Sequence, residues 1–197
     1  LGDVYKRQVV AEGEPVGFIR GYKAVLNPDN SLKEILPLQN LGSTLPTAYG
    51  NFSLSASYKN LSFMFSGDYQ YGAYVHSFDR QFRFSKGLKD NAIPEKALEG
   101  LDQGANWLNF TNFFVEKSDF LKIRNIGIAY DYKPKKYLKS VNLAFNVYNP
   151  FAFTASSVDP EAALAGARSQ GAVAVGGLNY SSYSTPRQYV GTIRVSF

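Results

Sequence analysis

The feature that most constrains this chain is a two-residue alternation of apolar and polar side chains, repeated in stretches of about ten residues. The last nine residues, YVGTIRVSF, are its clearest instance. Tyr189, Gly191, Ile193, Val195 and Phe197 fall on one side, and Val190, Thr192, Arg194 and Ser196 on the other. Successive side chains of a strand point to opposite faces, so the segment has one apolar-leaning face and one mostly polar face. The apolar edge runs to the final residue, where the terminus of a soluble domain commonly frays. Amphipathic strands of about ten residues separated by turns are the pattern of a transmembrane β-barrel. An edge strand of a soluble β-sandwich is the alternative.

The same pattern recurs upstream. Residues 17–24 form a short strand candidate with Phe18, Arg20, Tyr22 and Ala24 on one side. A long connection over 25–48 carries three prolines and the turn residues Asn27, Pro28, Asp29 and Asn30. Residues 49–58 alternate Phe52, Leu54, Ala56 and Tyr58 with Asn51, Ser53, Ser55 and Ser57. Lys59 and Asn60 make a tight turn, and Leu61, Phe63, Phe65, Gly67, Tyr69 and Tyr71 resume, so the two runs read as an antiparallel hairpin. An extension of this strand to about residue 84 is expected on Phe78, Phe82 and Phe84.

Residues 85–111 lack alternation, and 93–101 predict one or two helical turns with Pro94 near the start. Trp107, Phe110, Phe113 and Phe114 read as an aromatic girdle near a membrane interface. In residues 119–132, Leu121 and Ile123 occupy one phase and Ile126, Ile128, Tyr130 and Tyr132 the other. A bulge, or the end of a lipid-facing band, accounts for the switch. After a Lys133-Pro134 turn, Val141, Leu143, Phe145 and Val147 alternate with Asn142, Ala144, Asn146 and Tyr148. Asn149-Pro150 then opens another long connection to the terminal strand.

These connections alternate in length. Barrels of the outer membrane have short periplasmic turns and long extracellular loops, and a soluble sandwich has no reason to segregate the two by end. The apolar faces would exceed what a monomer exposes to water. Lipid removes that penalty but requires every backbone group to be paired, which a sheet achieves by closing. The expected class is therefore all-β, an antiparallel transmembrane β-barrel. The chain would supply a C-terminal fragment of about six or seven strands, one arc of a larger wall, because the smallest common barrels have eight.

Composition excludes several other classes. Cys is absent, which removes disulfides, thiol chemistry and Cys metal sites. Mean hydropathy is −0.22, and no apolar run approaches the roughly 18 residues of a transmembrane helix. The net charge of +5 is scattered over turns and loops, so no nucleic-acid partner is expected. No cofactor or catalytic constellation is expected either. His76 is the only histidine and reads as an interface or loop-base residue; no nucleophile elbow or zinc motif exists. Asp159 and Glu161 are candidate loop Ca²⁺ ligands, with two solvated turn acids as the plainer reading. Tyr and Trp in the long loops are candidates for sugar stacking, with interfacial anchoring plainer. The residues singled out are Tyr189, Ile193, Val195 and Phe197, as a C-terminal assembly signal read by the barrel assembly machinery. The chain begins on Leu1, and its natural start is expected upstream; residues 1–8 read as a non-native or unstructured flank and 9–197 as barrel.

The residues also resemble a known family, the SusC/RagA-type TonB-dependent outer-membrane transporters of Bacteroidetes-like bacteria, at the C-terminal end of the barrel. The resemblance is carried by EPVGFIRGYK (14–23), LPTAYGNFSLSASYKNLSF (45–63), SDFLKIRNIGIAYDYKPK (118–135), VNLAFNVYNPFAFT (141–154), VDPEA (158–162) and STPRQYVGTIRVSF (184–197). It implies a plugged barrel in the outer membrane and uptake of glycan fragments, peptides or similar nutrients. It also implies a SusD-like lipoprotein lid, and energy from the TonB complex acting through a missing N-terminal part. A non-energised porin, translocator or adhesin, a barrel hydrolase and a soluble carbohydrate-binding sandwich are the competing classes.

Overall fold

The structure, a computed structural model, describes residues 8–9, 12–14, 17–134, 137–159, 178–179 and 184–197. In chain order the strands are β1 (Gln8–Val9), β2 (Phe18–Leu26), β3 (Leu32–Ser43), β4 (Ala48–Tyr58), β5 (Leu61–Tyr71), β6 (Tyr74–Ser77), β7 (Val115–Lys117), β8 (Phe120–Tyr132), β9 (Ser140–Thr154), β10 (Leu178–Asn179) and β11 (Gln188–Ser196). Between β6 and β7 lie helix α1 (Phe78–Ser85), a 3-10 turn (Glu95–Leu98), the single-turn helix α2 (Gln103–Asn106) and a kinked 3-10 segment (Trp107–Phe114). The fold is all-β and mostly antiparallel. The chain divides into two compact units.

One unit, residues 48–70, 120–154 and 185–197, is a five-stranded sheet in the order β11-β9-β8-β5-β4. Five of the six candidate strands therefore lie side by side. The starts of β4, β8 and β11 and the ends of β5 and β9 share one end of this sheet. The ends of β4, β8 and β11 and the starts of β5 and β9 share the other, where Lys139 N–H bonds Ser196 O at 2.8 Å. Every long connection thus enters or leaves at the same end, as the connection lengths imply, although several boundaries differ.

The phase switch in β8 is a bulge, and it spreads across the sheet. The apolar positions Phe65, Ile126 and Val147 are register partners, and so are Gly67, Ile123 and Phe151. Between these two rows β5 has only Ser66, β8 has Arg124 and Asn125, and β9 has Tyr148, Asn149 and Pro150. Each strand carries one more residue than its neighbour, which bends the strands and tightens their twist. Leu121 and Ile123 thereby share a face with Ile126 and Ile128. Asn149 adopts a left-handed φ of 51°, which Asn tolerates, and Pro150 withholds a donor where the ladder is already interrupted. This corrects the expectation that Asn149-Pro150 begins a connection: β9 runs on to Thr154.

Glycines and aromatics interlock at the other side of the sheet. The Phe52 ring covers Gly67 and the Tyr69 ring covers Gly50, so each strand of the hairpin supplies one ring and one gap. A Cβ on Gly67 would lie 2.4 Å from Phe52 Cζ and 2.6 Å from the carbonyl oxygen of Lys122, which belongs to the backbone and cannot rotate away. Gly67→Ala is expected to destabilise the sheet by about 1–3 kcal/mol, measured by denaturant unfolding of the full-length protein. Gly191, whose added Cβ meets nothing within 4 Å, should accept alanine at little cost.

The other unit contains the described residues of 1–47, 71–119 and 155–184. It holds the sheet β1-β2-β3 and the sheet β10-β6-β7. Gln8 and Val9 pair with Ile19 and Phe18; residues 1–7 lie outside the described residues. Its core gathers Ala24, Phe84, Ile93, Ala97, Phe110 and Phe114. Three expectations are corrected here. Residues 25–48 are not an irregular connection, because β3 folds back on β2 through the Asn27–Ser31 turn. Pro37 is accommodated at a register slip, where Pro37 and Leu38 oppose Tyr22 alone and Leu38 takes φ 54°. The strand after Leu61 does not extend to residue 84. It ends at Gly72, whose φ is +85° and whose N–H bonds Asp119 Oδ1 at 2.6 Å.

Phe78 and Phe82 then stack one helical turn apart, with ring centroids at 6.2 Å. Their four-residue spacing fits a helix as well as an even strand phase. The helix delivers Phe84 to the core against Phe110 and Phe114. The third correction concerns those aromatics: Phe110 and Phe114 are 0% exposed, and Trp107 and Phe113 pack against the same cluster. They form a core, not a girdle.

Candidate membrane-facing surface

The register of the five-stranded sheet stacks like with like. Ile193, Leu143, Tyr130 and Leu61 form one cross-strand row, Gly191, Phe145, Ile128 and Phe63 the next, and Tyr189, Val147, Ile126 and Phe65 a third. The intervening rows are Thr192, Ala144, Ala129 and Ser62, then Val190, Asn146, Gly127 and Met64, with Arg194, Asn142 and Asp131 beyond. Across these four strands one face is thus aliphatic and aromatic, and the other is mostly small or polar, with Val190 and Met64 the exceptions.

The apolar face is open. Ile128 and Phe145 are each 48% exposed, Phe153 61% and Ile193 74%. A dozen such side chains exposing roughly 80–100 Å² each come to on the order of 1,000 Å², beyond the few hundred that a soluble monomer shows to water. A face of this size matches hydrocarbon. The polar face carries hydrogen bonds instead: Asn142 Nδ2 donates to Asp131 Oδ1 at 2.7 Å, and Ser57 and Ser62 hydroxyls meet at 3.1 Å. Next to the bulge, Arg124 grips Asp68 with two donors, Nη2 to Oδ2 at 2.7 Å and Nε to Oδ1.

Of the four predicted signal residues, Tyr189, Ile193 and Val195 share the apolar face of β11, an edge strand bonded to β9 on one side. Tyr189 stacks on Phe145, with centroids at 6.5 Å. Phe197 follows the strand and is 80% exposed. The structure places the first three on one face, as the alternation implies.

The mixed unit is held by polar contacts that the sequence does not announce. His76 is buried and its Nε2 lies 2.6 Å from Gln81 Oε1, while Gln81 Nε2 donates to Thr111 Oγ1 at 3.0 Å and to the Trp107 carbonyl at 3.2 Å. This corrects the expectation of an interface or loop-base histidine: His76 is buried inside the unit, where Gln81 satisfies its ring. Arg80 is the hub. It donates to Asp90 through Nε (2.9 Å) and Nη2 (2.5 Å), and through Nη1 to Glu116. Glu116 accepts also from Ser157 N–H at 2.6 Å, which ties the segment leaving β9 to β7. Burial pushes the Asp90 carboxyl up, but the hydrogen bonds from Arg80 and the Ala92 N–H outweigh it, and its pKa lies below the ordinary value. These partners are separated by up to 77 residues, so no local pattern marks them.

Asp29 forms the expected Asx-type turn, accepting from Ser31 N–H at 3.1 Å. Lys96, bonded at 2.6 Å, and Ser31 hold its carboxyl well below the usual range. Among the described residues no group of three acids or histidines is arranged for a metal; of the proposed Ca²⁺ pair, Glu161 lies outside them. No described helix is long and apolar enough to cross a membrane, which says nothing of strands.

An antiparallel sheet with one hydrocarbon-matched face and its long connections at one end is the architecture of a barrel wall. No family model and no curated protein matches the sequence. Solved structures do. The chain is similar to the RagAB peptide importer in its open-open state, with a TM-score of 0.66 at 20% identity over 98% of this chain. Against the closed-closed state the TM-score is 0.69, again at 20% identity, over 100% of this chain. A further structure of the RagAB peptide transporter gives 0.59 at 20% identity over 91% of this chain and 22% of that one. The chain spans only 24% of the first two. What is shared at this identity is the fold.

Proposed function

We propose that residues 9–197 form the C-terminal part of the barrel wall of a SusC/RagA-type TonB-dependent transporter in the outer membrane of a Bacteroidetes-like bacterium. The observation that carries this reading is the segregation of apolar and mostly polar rows across β5, β8, β9 and β11, with every long connection at one end of the sheet. A wall of that kind faces lipid outward and a wet lumen inward. The likeness to RagAB chains supports it and makes peptides the first nutrient to test, with glycan fragments next. In this reading the long connections are extracellular and lie under a SusD-like lipoprotein. Energy reaches the barrel through an upstream part that engages the TonB complex. Tyr189, Ile193, Val195 and Phe197 are read by the barrel assembly machinery, and the work is transport, not catalysis.

Three measurements on the full-length protein test this. Cysteines at Ile128 and Phe145 should react with a lipid-soluble maleimide and be shielded from a charged one, and cysteines at Asn142 and Asn146 should do the reverse. Equal accessibility of the two sets would refute the facing. Uptake of fluorescent peptides should stop when the proton-motive force is collapsed; uptake that continues would instead identify a passive porin. Phe197→Ala should lower the amount of barrel assembled in the outer membrane several-fold, read by heat-modifiable mobility, and unchanged assembly would remove the terminal-signal role.

A further inference from the structure

Between helix α1 and the loop that follows it lies a cavity of about 300 Å³, lined by Arg80, Arg83, Lys89, Asp90, Asn91 and Ala92. We propose that this cavity is a subsite for a carboxylate group, anchored by Arg83. As the place where the end of a short peptide is held, it rests on the transport reading above; as a carboxylate site it does not.

Most charges around the cavity are already paired. Arg80 is committed to Asp90 and Glu116, and its guanidinium lies 5.6 Å from the Phe114 ring, so it is a fixed wall. Lys89 is paired with Glu95 on the surface. Arg83 makes no salt bridge among the described residues and acts on the Asp90 carboxylate only through space, although it stands one helical turn from Arg80 on the same eight-residue helix. Its guanidinium offers five donors in a planar fork that matches a carboxylate in two-pronged fashion.

The opposite wall is rigid. Asp90 accepts from Ala92 N–H at 3.0 Å through its side chain and from Ile93 N–H at 3.1 Å through its carbonyl, and Leu88 N–H closes on the Arg83 carbonyl at 3.2 Å. That geometry sets the residues 88–93 before any ligand arrives, so little ordering cost opposes binding. Asn91, which is exposed, lines the same cavity as Arg83. Asp90 stays ionised in the same lining, and its charge disfavours a dianion such as phosphate while tolerating a singly charged carboxylate. The volume suits a terminal residue and not a folded partner.

The test uses the full-length transporter purified in detergent and titrated with N-acetyl-alanine, N-acetyl-alanine amide and inorganic phosphate. Wild type should bind the acid at least about tenfold more tightly than the amide, the scale of one charge-assisted hydrogen-bonded pair. Arg83→Gln should erase that preference and Arg83→Lys should restore part of it. Equal affinity for acid and amide, an Arg83→Gln protein that keeps the preference, or tighter binding of phosphate would each overturn the proposal. The two readings fail separately. Acid-selective binding without energised peptide uptake would leave the subsite and remove the transport function. Energised uptake with an unselective cavity would do the opposite.

Discussion

On the proposed lipid-facing reading, Ile128→Arg should cost about 2–4 kcal/mol, the depth-dependent penalty for a cation near the bilayer midplane. Ile128 is the position for this experiment because its row is apolar across the sheet, from Gly191 through Phe145 to Phe63. Its side chain is 48% exposed, so the arginine meets whatever surrounds the sheet and not a packed core. Asn125→Arg, three residues away on the polar face, should cost less than about 1 kcal/mol. Reversible unfolding of the full-length protein into lipid vesicles measures both. Equal losses would mean that the two faces see the same solvent, and the membrane assignment would fail with them.

Phe110→Ala should remove about 3–5 kcal/mol from the mixed unit. The ring is 0% exposed and is wedged between Phe84, at 5.8 Å in an edge contact, and Phe113, at 6.2 Å. Truncation leaves a cavity that neighbouring strands and short helices cannot close, since Thr111 is pressed against Gly21 and Asn112 is bonded to both backbone groups of Ala24. Protease sensitivity of residues 72–119 reads the loss directly. Phe82→Ala, at a ring 43% exposed, should leave the same segment protected. Matching sensitivity in the two variants would argue that Phe110 anchors a surface after all.

The contrast between these two phenylalanines bears on what was legible beforehand. On β8 and β9 the period of two was unambiguous, because a strand with one open face has only one way to distribute Ile126, Ile128, Phe145 and Val147. Between residues 72 and 119 the sequence offers aromatics at spacings of three, four and six, which fit a strand, a helix or an interface equally. Gly72 at φ +85° and the demand of the Phe84–Phe114 cluster choose among them. Pro37 and Pro150 look like strand breakers and are not, since each stands at a register slip where the ladder has no bond to lose.

The sequence by itself determined the class and the two faces. Alternation is a local property, and the apolar residues of β4, β5, β8, β9 and β11 had to share a side once their turns set the register. The shared face of Tyr189, Ile193 and Val195 follows the same way. Only the tertiary structure decided the three-step bulge, the hairpin of β2 and β3, the burial of Phe110 and Phe114, and the Arg80 hub. The core and the hub join residues far apart in the chain, through packing volume or paired charge, and leave no periodic trace; the bulge left only a phase switch before Asn125 whose cause the alternation could not choose.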